Sequence, residues 1–463
     1  MDLKSLSAID LADAIRNKKV SSVEATRTAL DRLKSVHETT NAAISFDTDE
    51  ALAAAEAADT AVAKGAATGP LHGVPLAHKD MFDRVGKIPS WGARIRRDKP
   101  CTEHNTLLAR LKDAGSIEIG ALHLTEFAFG PTGHNYVLGH AKNPWDTTRI
   151  TGGSSSGSAI SVATGVLPAA LGSDTAGSLR LPAAACNVAS IKPTWSRVSR
   201  AGAMPLSFSL DCVGPIARDV RDLALLLRII AGHDVRDGSS SRRPVPDYLA
   251  ALDQPVDGLR IGVDERLIAD AHPEVQTRFE TALKLLEKSG AKRISVRFPD
   301  WKTLDHLTQL VQLPEVASAH GPYLRHRGEE YGPQVRARTE FGHFISAHDH
   351  QTAMRARGTL LAKTLAETYA SCDMTMLPTF ADPLPTIAEL DVGGGPKLMA
   401  AMARVVLYCR PVNYLGLPAL TLPYPRESYL PNGFQLVGRP FDEARMLALG
   451  KAYQKHVPAE VVS

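Results

Sequence analysis

Along the chain, apolar positions recur by turns at helical and at strand spacing. The helical spacing predicts amphipathic helices over Ser7–Asn17 and Ser21–Val36, the second opened by a capping box of Ser21 and Glu24. Asn41–Phe46 reads as a short strand and Asp49–Lys64 as an alanine-rich helix. In Pro70–Asp80 a turn feeds the apolar run Val74–Ala77, a short strand that ends on Lys79. Asn105–Ala114 reads as a helix, Ile117–Leu122 as a buried strand, Ser158–Thr164 as a helix and Val166–Leu171 as a strand. Past Asp219 come a helix (Val220–Ala231), a polar Arg/Pro-rich connection (Asp234–Asp247), a strand (Leu259–Val263), a helix (Val275–Ser289) and a strand (Arg293–Phe298). Trp301 to about Tyr369 is mostly helical and poorer in glycine, an insertion or cap rather than sheet. Met374–Leu377, Ala419–Leu422 and Gly433–Val437 read as late strands returning to the same sheet.

Helices alternating with short apolar strands predict an α/β layered architecture. At 463 residues the chain can bury a large core, and no linker or repeat divides it. Apolar residues at 44% and charged at 22% are ordinary for a globular protein. Lys plus Arg (53) against Asp plus Glu (50) leaves only +3, which makes no case for nucleic acid or a membrane surface. The five cysteines are scattered and never in CxxC spacing, so neither a disulfide framework nor a zinc site is expected, and a cytoplasmic location is. The N-terminus lacks an uninterrupted apolar segment of the signal-peptide kind, and no apolar run is long enough to span a membrane.

Two small-residue clusters, Gly152–Ser158 and Gly172–Ser178, flank an apolar run. Packed cores do not need that composition, whereas backbones that bring N–H groups and hydroxyls close to a ligand do. Gly153-Ser154-Ser155-Ser156-Gly157 satisfies G-x-S-x-G, but a nucleophile elbow needs an apolar strand directly before it, and Asn143–Ile150 is a turn. A phosphate-binding loop fails as well, since no lysine follows Gly157. Ser178 is better placed: an apolar strand runs into the turn that bears it. Lys79 at a strand end would ordinarily be a surface charge. His343, His348 and His350 do not share one helix face and are joined by no ligand motif, so a metal site is not expected there. Arg94-Ile95-Arg96-Arg97 lacks the aromatic interleaving of a nucleic-acid contact and reads as a solvated loop.

Together these pieces resemble the amidase signature family of C–N hydrolases. Gly73-Val74-Pro75 through Lys79-Asp80 looks like its G-V-P-x-x-x-K-D element, and the spacing of Lys79, Ser154 and Ser178 is similar to its Lys, cis-Ser, Ser triad. Leu124–Gly130, Lys142–Asp146 and Asn432–Glu443 look like three further elements of the family. The resemblance runs from about Ser7 to Tyr453 and is weak between about Asp234 and Tyr369. It implies one domain over 1–463, with a large mixed central β-sheet covered on both faces by helices and a more variable part, about 234–369, that is largely helical.

Carried over, Ser178 would be the nucleophile, Ser154 a relay on a non-proline cis peptide, and buried Lys79 a base whose pKa desolvation lowers. Backbone N–H groups of Thr175, Ala176, Gly177 and Ser178 would form the oxyanion hole. Asp174 and Arg180 would hold the loop. Phe129 and Gly130 would border the substrate pocket, an apolar one suited to aryl or alkyl acyl groups. No cofactor or metal is implied, and the expected partner is a small amide: primary amide, anilide, carbamate or urea-like compound. A homodimer is compatible with this reading. The sequence departs from the family at Ser156 and Ala176, where glycines are usual, and at Asn187 in place of glycine after Cys186. The rival within the same family is the glutaminase subunit of a tRNA-dependent amidotransferase. The tyrosine- and aspartate-bearing element usual there is not evident after Leu377–Pro383. A catalytically dead binding protein is disfavoured, because all three triad positions are filled.

Overall fold

In the computed structural model, which describes residues 2–66, 68–426, 430–458 and 460–462, serines open the first two helices. Ser7 Oγ accepts from Asp10 N at the head of α1 (Ala8–Arg16), and Ser21 Oγ accepts from Glu24 N at the head of α2 (Ser22–Thr40). The second helix runs four residues past Val36 and stops where Asn41 turns left-handed, so Asn41 closes a helix rather than starting a strand.

Strand β1 (Ala43–Phe46), helix α3 (Thr48–Ala63), strand β2 (Pro75–Lys79), helix α4 (Thr106–Asp113) and strand β3 (Ile117–Leu122) follow. The three strands form a small sheet of order β1-β3-β2, in which β2 runs parallel to β3. The strand that ends on Lys79 therefore belongs to a sheet of its own and not to the central one.

The central sheet has eight strands: β4 (Ala169–Asp174), β5 (Ala189–Lys192), β6 (Cys212–Ala217), β7 (Arg260–Val263), β8 (Lys292–Ser295), β9 (Met374–Pro378), β10 (Ala419–Pro423) and β11 (Gly433–Gly438). Their order is β4-β6-β5-β10-β11-β9-β7-β8, antiparallel from β4 through β9 and parallel from β9 to β8. The fold is thus α/β with a large mixed sheet, as the resemblance implied, and the three late strands do join it. Most of these strands are buried at every position, which hides the period-two alternation a one-sided sheet would show.

Strand β4 begins three residues later than expected and reaches Asp174. Val166 and Leu167 instead close off helix α5 (Ser156–Ala163), Leu167 N donating to Ser161 O, before Pro168 starts the strand's approach. One hydrophobic core packs both sheets together, with Leu76 and Phe82 from the small-sheet side and Leu171, Ile191, Leu420 and Leu436 from the large. Helix α7 (Val220–Ile230) joins that core, and buried Asp222 in its first turn accepts the amides of Ala8 and Ile9 at the head of α1. The 301–369 region is largely helical as expected: Trp301–Arg327, Pro333–Gly342 and Ala347–Glu367. No helix among the described residues is long and apolar enough to cross a membrane.

Candidate active site

The end of β2, the loop before α5 and the end of β4 meet in one buried place. Lys79, 1% exposed, donates from Nζ to Ser154 Oγ at 2.7 Å and to Ser173 Oγ at 2.8 Å. No carboxylate lies within ion-pair reach of it among the described residues. Burial lowers its amine to about 7, and the more distant charges of Asp211 and Asp174 only partly oppose the shift. His78 holds β2 in place from the neighbouring position: its Nδ1 accepts Leu171 N of β4 at 3.0 Å, and burial lowers its pKa to about 3.

The peptide between Gly153 and Ser154 is cis. Ser155 fastens this loop to β4, its Oγ donating to Ser173 O and accepting from Ser173 N, each at 3.2 Å. Ser155 N donates to Ser178 O at 3.3 Å, which brings the two small-residue clusters side by side. Ser156 Oγ donates to Gly152 O at 2.9 Å, so the serine that replaces a glycine spends its hydroxyl on the loop itself. Asn187 adopts φ +61°, a left-handed conformation that asparagine tolerates where most side chains do not. Ala176 is absent from the positive-φ residues, while Gly177 beside it sits at φ +120°.

Asp174 and Arg180 pair inside the protein, both fully buried. Arg180 Nε donates to Asp174 Oδ2 at 2.9 Å and Nη2 to Oδ1 at 3.0 Å. Burial would raise the Asp174 carboxyl, but the guanidinium charge overrides it and holds the group well below the usual carboxylate range. Arg180 also donates to Gln435 Oε1 of β11 at 2.8 Å, to Cys409 O and to Asn413 Oδ1, so every edge of the fork is used. Asp174 in turn accepts Gly177 N at 2.8 Å. The Gly177 amide, expected among the oxyanion donors, is therefore committed to the loop. The amides of Thr175, Ala176 and Ser178 donate to no protein group among the described residues. Thr175 Oγ1 donates to Asp211 Oδ1 at 2.5 Å, and burial raises that carboxyl to about 6.

Ser178 is 8% exposed, and its hydroxyl makes no hydrogen bond to the protein among the described residues. It opens on a cavity of about 20 Å³, room for roughly one water molecule, which Phe129 and Gly130 also line. Ala128, Pro131, Leu206 and Val406 give this space an apolar part, while the Arg338 guanidinium lies over the Phe129 ring, 3.7 Å from its centre. Arg410 and Gln312 also line it. A larger cleft of about 340 Å³ lies behind Ser173, lined by Met81, Met204, Phe208 and Asp211.

The other family-like elements support this centre. In Lys142–Asp146, Asn143 Nδ2 donates to Ile150 O and Ala185 O, which ties the approach to the first loop to the end of α6 (Arg180–Ala185). In Leu124–Gly130, Glu126 accepts Gly332 N at 2.9 Å, linking the Phe129 segment to the helical region. Glu443 accepts Thr194 N at 2.8 Å. Sequence reasoning missed Ser173, Asn413, Asp211, Gln312, Arg338 and Arg410. Only Ser173 carried a signal, as a hydroxyl inside the second small-residue cluster.

The Amidase family model matches residues 24–447. The chain is 36% identical over 465 residues to the A subunit of glutamyl-tRNA(Gln) amidotransferase from Chloroflexus aggregans (strain MD-66 / DSM 9485), covering 96% of this chain and 94% of that one. Among solved structures, it is similar to one described as a vestigial protein complex that reveals the evolutionary origins of an s-triazine catabolic enzyme, with TM-score 0.91, 30% identity and coverage of 99% and 100%. It is also similar to the corresponding glutamyl-tRNA(Gln) amidotransferase subunit of Thermotoga maritima, with TM-score 0.81, 30% identity and coverage of 99% and 96%.

Proposed function

The chain belongs to the amidase signature family and is an amidase, a hydrolase of C–N bonds, and from that premise we propose that it is a free-standing enzyme cleaving small amides through a Ser178 acyl-enzyme. The hydrogen bond from Lys79 Nζ to Ser154 Oγ, buried next to the Ser178 loop, carries this reading. An amine lowered to about 7 is half neutral near physiological pH and can act as a base without histidine.

Neutral Lys79 takes a proton from Ser154 while Ser154 takes one from Ser178, and Ser178 Oγ attacks the amide carbonyl. The oxyanion that forms meets the free amides of Thr175, Ala176 and Ser178, each such donor worth about 3–4 kcal/mol of barrier. The proton returns through Ser154 to the leaving nitrogen, and the C–N bond breaks. Water, deprotonated by the same relay, then attacks the Ser178 ester and releases the acid. Asp174 and Arg180 act on this chemistry by holding the loop that carries the donors. The helical region about 301–369 supplies Gln312 and Arg338 to the cavity wall, which supports its reading as a cap.

The relatives favour a second reading, a glutaminase component that works with partners, since the amidotransferase subunits cover almost the whole chain. Purified protein alone, given simple primary amides, glutamine, an anilide and an aryl carbamate, separates the two. Turnover of any substrate other than glutamine, lost in Ser178→Ala, is the expected result. Turnover of glutamine alone would favour the amidotransferase component. Equal rates for wild type and Ser178→Ala would remove Ser178 from the nucleophile's place.

A further inference from the structure

The acyl-transfer steps use no side chain of Leu124–Gly130, yet this segment carries a buried acid. Glu126 is 1% exposed. Its Oε2 accepts Gly332 N at 2.9 Å, and its Oε1 is buried without a partner among the described residues. Gly332 stands immediately before the helix Pro333–Gly342 and has no side chain to cap it, so Glu126 supplies an acceptor from another part of the fold. The same helix returns to the segment at Arg338, whose Nη1 donates to Phe129 O at 3.2 Å. Between those two points the Phe127 ring packs against His320 and Tyr331, with ring centres 4.5 Å and 5.1 Å away.

On its other side the segment touches the loop that bears Ser154. Thr125 N donates to Ser154 O at 3.2 Å, and Gly153 N donates to Pro131 O at 2.7 Å. The fit is tight: a Cβ on Gly153 would stand 2.5 Å from Gly130 O and 2.9 Å from Thr125 Oγ1. Phe127 and Ala128 adopt φ +50° and +55°, a left-handed pair that side chains avoid unless contacts from outside hold it. Here those contacts are the Gly332 bond, the Phe127 stack, and Phe127 N donating to Trp91 O at 2.7 Å. We propose that Glu126 is a positioning residue: through its bond to Gly332 N it keeps Thr125–Pro131 in the conformation that holds Ser154 against Lys79. The inference rests on the amidase reading and adds to it the residue that sets the relay. Burial raises the Glu126 carboxyl to about 7, and the Gly332 bond and the Arg94 charge only partly oppose this. In either protonation state an oxygen remains to accept Gly332 N, so a glutamine can stand in for the acid.

Amide hydrogen exchange tests it without a substrate, because the Thr125 amide reports on its own bond to Ser154 O. We expect that amide to exchange at least about tenfold faster in Glu126→Ala than in wild type, and at the wild-type rate in Glu126→Gln. Gly332→Ala places a Cβ 2.8 Å from Glu126 Oε2 and strains the same bond from the other side. It should shift the exchange in the same direction, and it carries the test if Glu126→Ala does not fold. Unchanged exchange at Thr125 in the variants that fold overturns the proposal. On the best amide of the panel, kcat should fall about 100-fold in Glu126→Ala with KM moved far less, and stay within about fivefold of wild type in Glu126→Gln. A loss carried by KM alone, or an equal loss in Glu126→Gln, would remove Glu126 from this role. If wild type turns over no amide at all, the amidase reading fails, while exchange at Thr125 still decides whether Glu126 holds Ser154.

Discussion

At the scale of single residues, the proposed mechanism makes the buried amine set the working pH. Lys79 must be neutral to accept a proton, so kcat/KM is low in acid and rises with pH, half-maximal near pH 7. A pH–rate profile checks this, and a midpoint near the ordinary lysine value would mean that Lys79 is not the base. Lys79→Arg, Ser154→Ala and Ser178→Ala should each lose about 10³-fold or more in kcat, the first because a guanidinium stays protonated. Arg180→Met is a different kind of change. It strands the Asp174 charge in the core and should cost about 3–5 kcal/mol of stability, read as a lower midpoint in urea. A loss under about 1 kcal/mol would show that the pair does not hold the loop.

At the scale of elements, helix α5 positions Ser154 by packing its first turn against the small sheet. A Cβ on Gly157 would stand 2.2 Å from Ala42 O and 2.5 Å from His123 N, both backbone atoms that cannot swing aside. Gly157→Ala should therefore push α5 off the small sheet, destabilise the protein by roughly 1–3 kcal/mol and lower kcat at least tenfold in the fraction that folds. Unchanged kcat would mean that Ser154 does not depend on this contact. Much of this level was legible in the sequence. Ser7, Ser21 and the amphipathic spacing marked the first helices, and glycine and serine clusters marked the two loops of the candidate site. Strands β5 and β6 were not legible, because β5 is only four residues long and β6 carries Gly214 and Pro215, which read as a turn. Nor were Arg338 and Arg410, since an arginine inside a helical stretch looks the same whether it faces solvent or a cavity. Only the meeting of the helical region with the Phe129 loop distinguishes the two.

At the scale of the whole molecule, the proposed base and nucleophile stand on different sheets. Lys79 ends β2 of the small sheet, and Ser178 follows β4 at the edge of the large one. The two sheets are joined by an apolar core to which both contribute. We expect them to part only when that core opens, so activity and near-ultraviolet circular dichroism should be lost together along a urea titration. Activity that disappears well before the dichroism would mean that the sheets separate as independent bodies.

The strand order also bears on synthesis. The small sheet draws on residues 43–122 and can close early, but β11 lies in the interior of the large sheet, between β10 and β9. Its Gln435 takes one arm of Arg180, which pairs with Asp174 at the foot of the Ser178 loop. A nascent chain still lacking β11 thus carries Lys79, Ser154 and Ser178 without the frame that shapes them. We expect the centre to stay silent on the ribosome until that strand has emerged and the central sheet has closed.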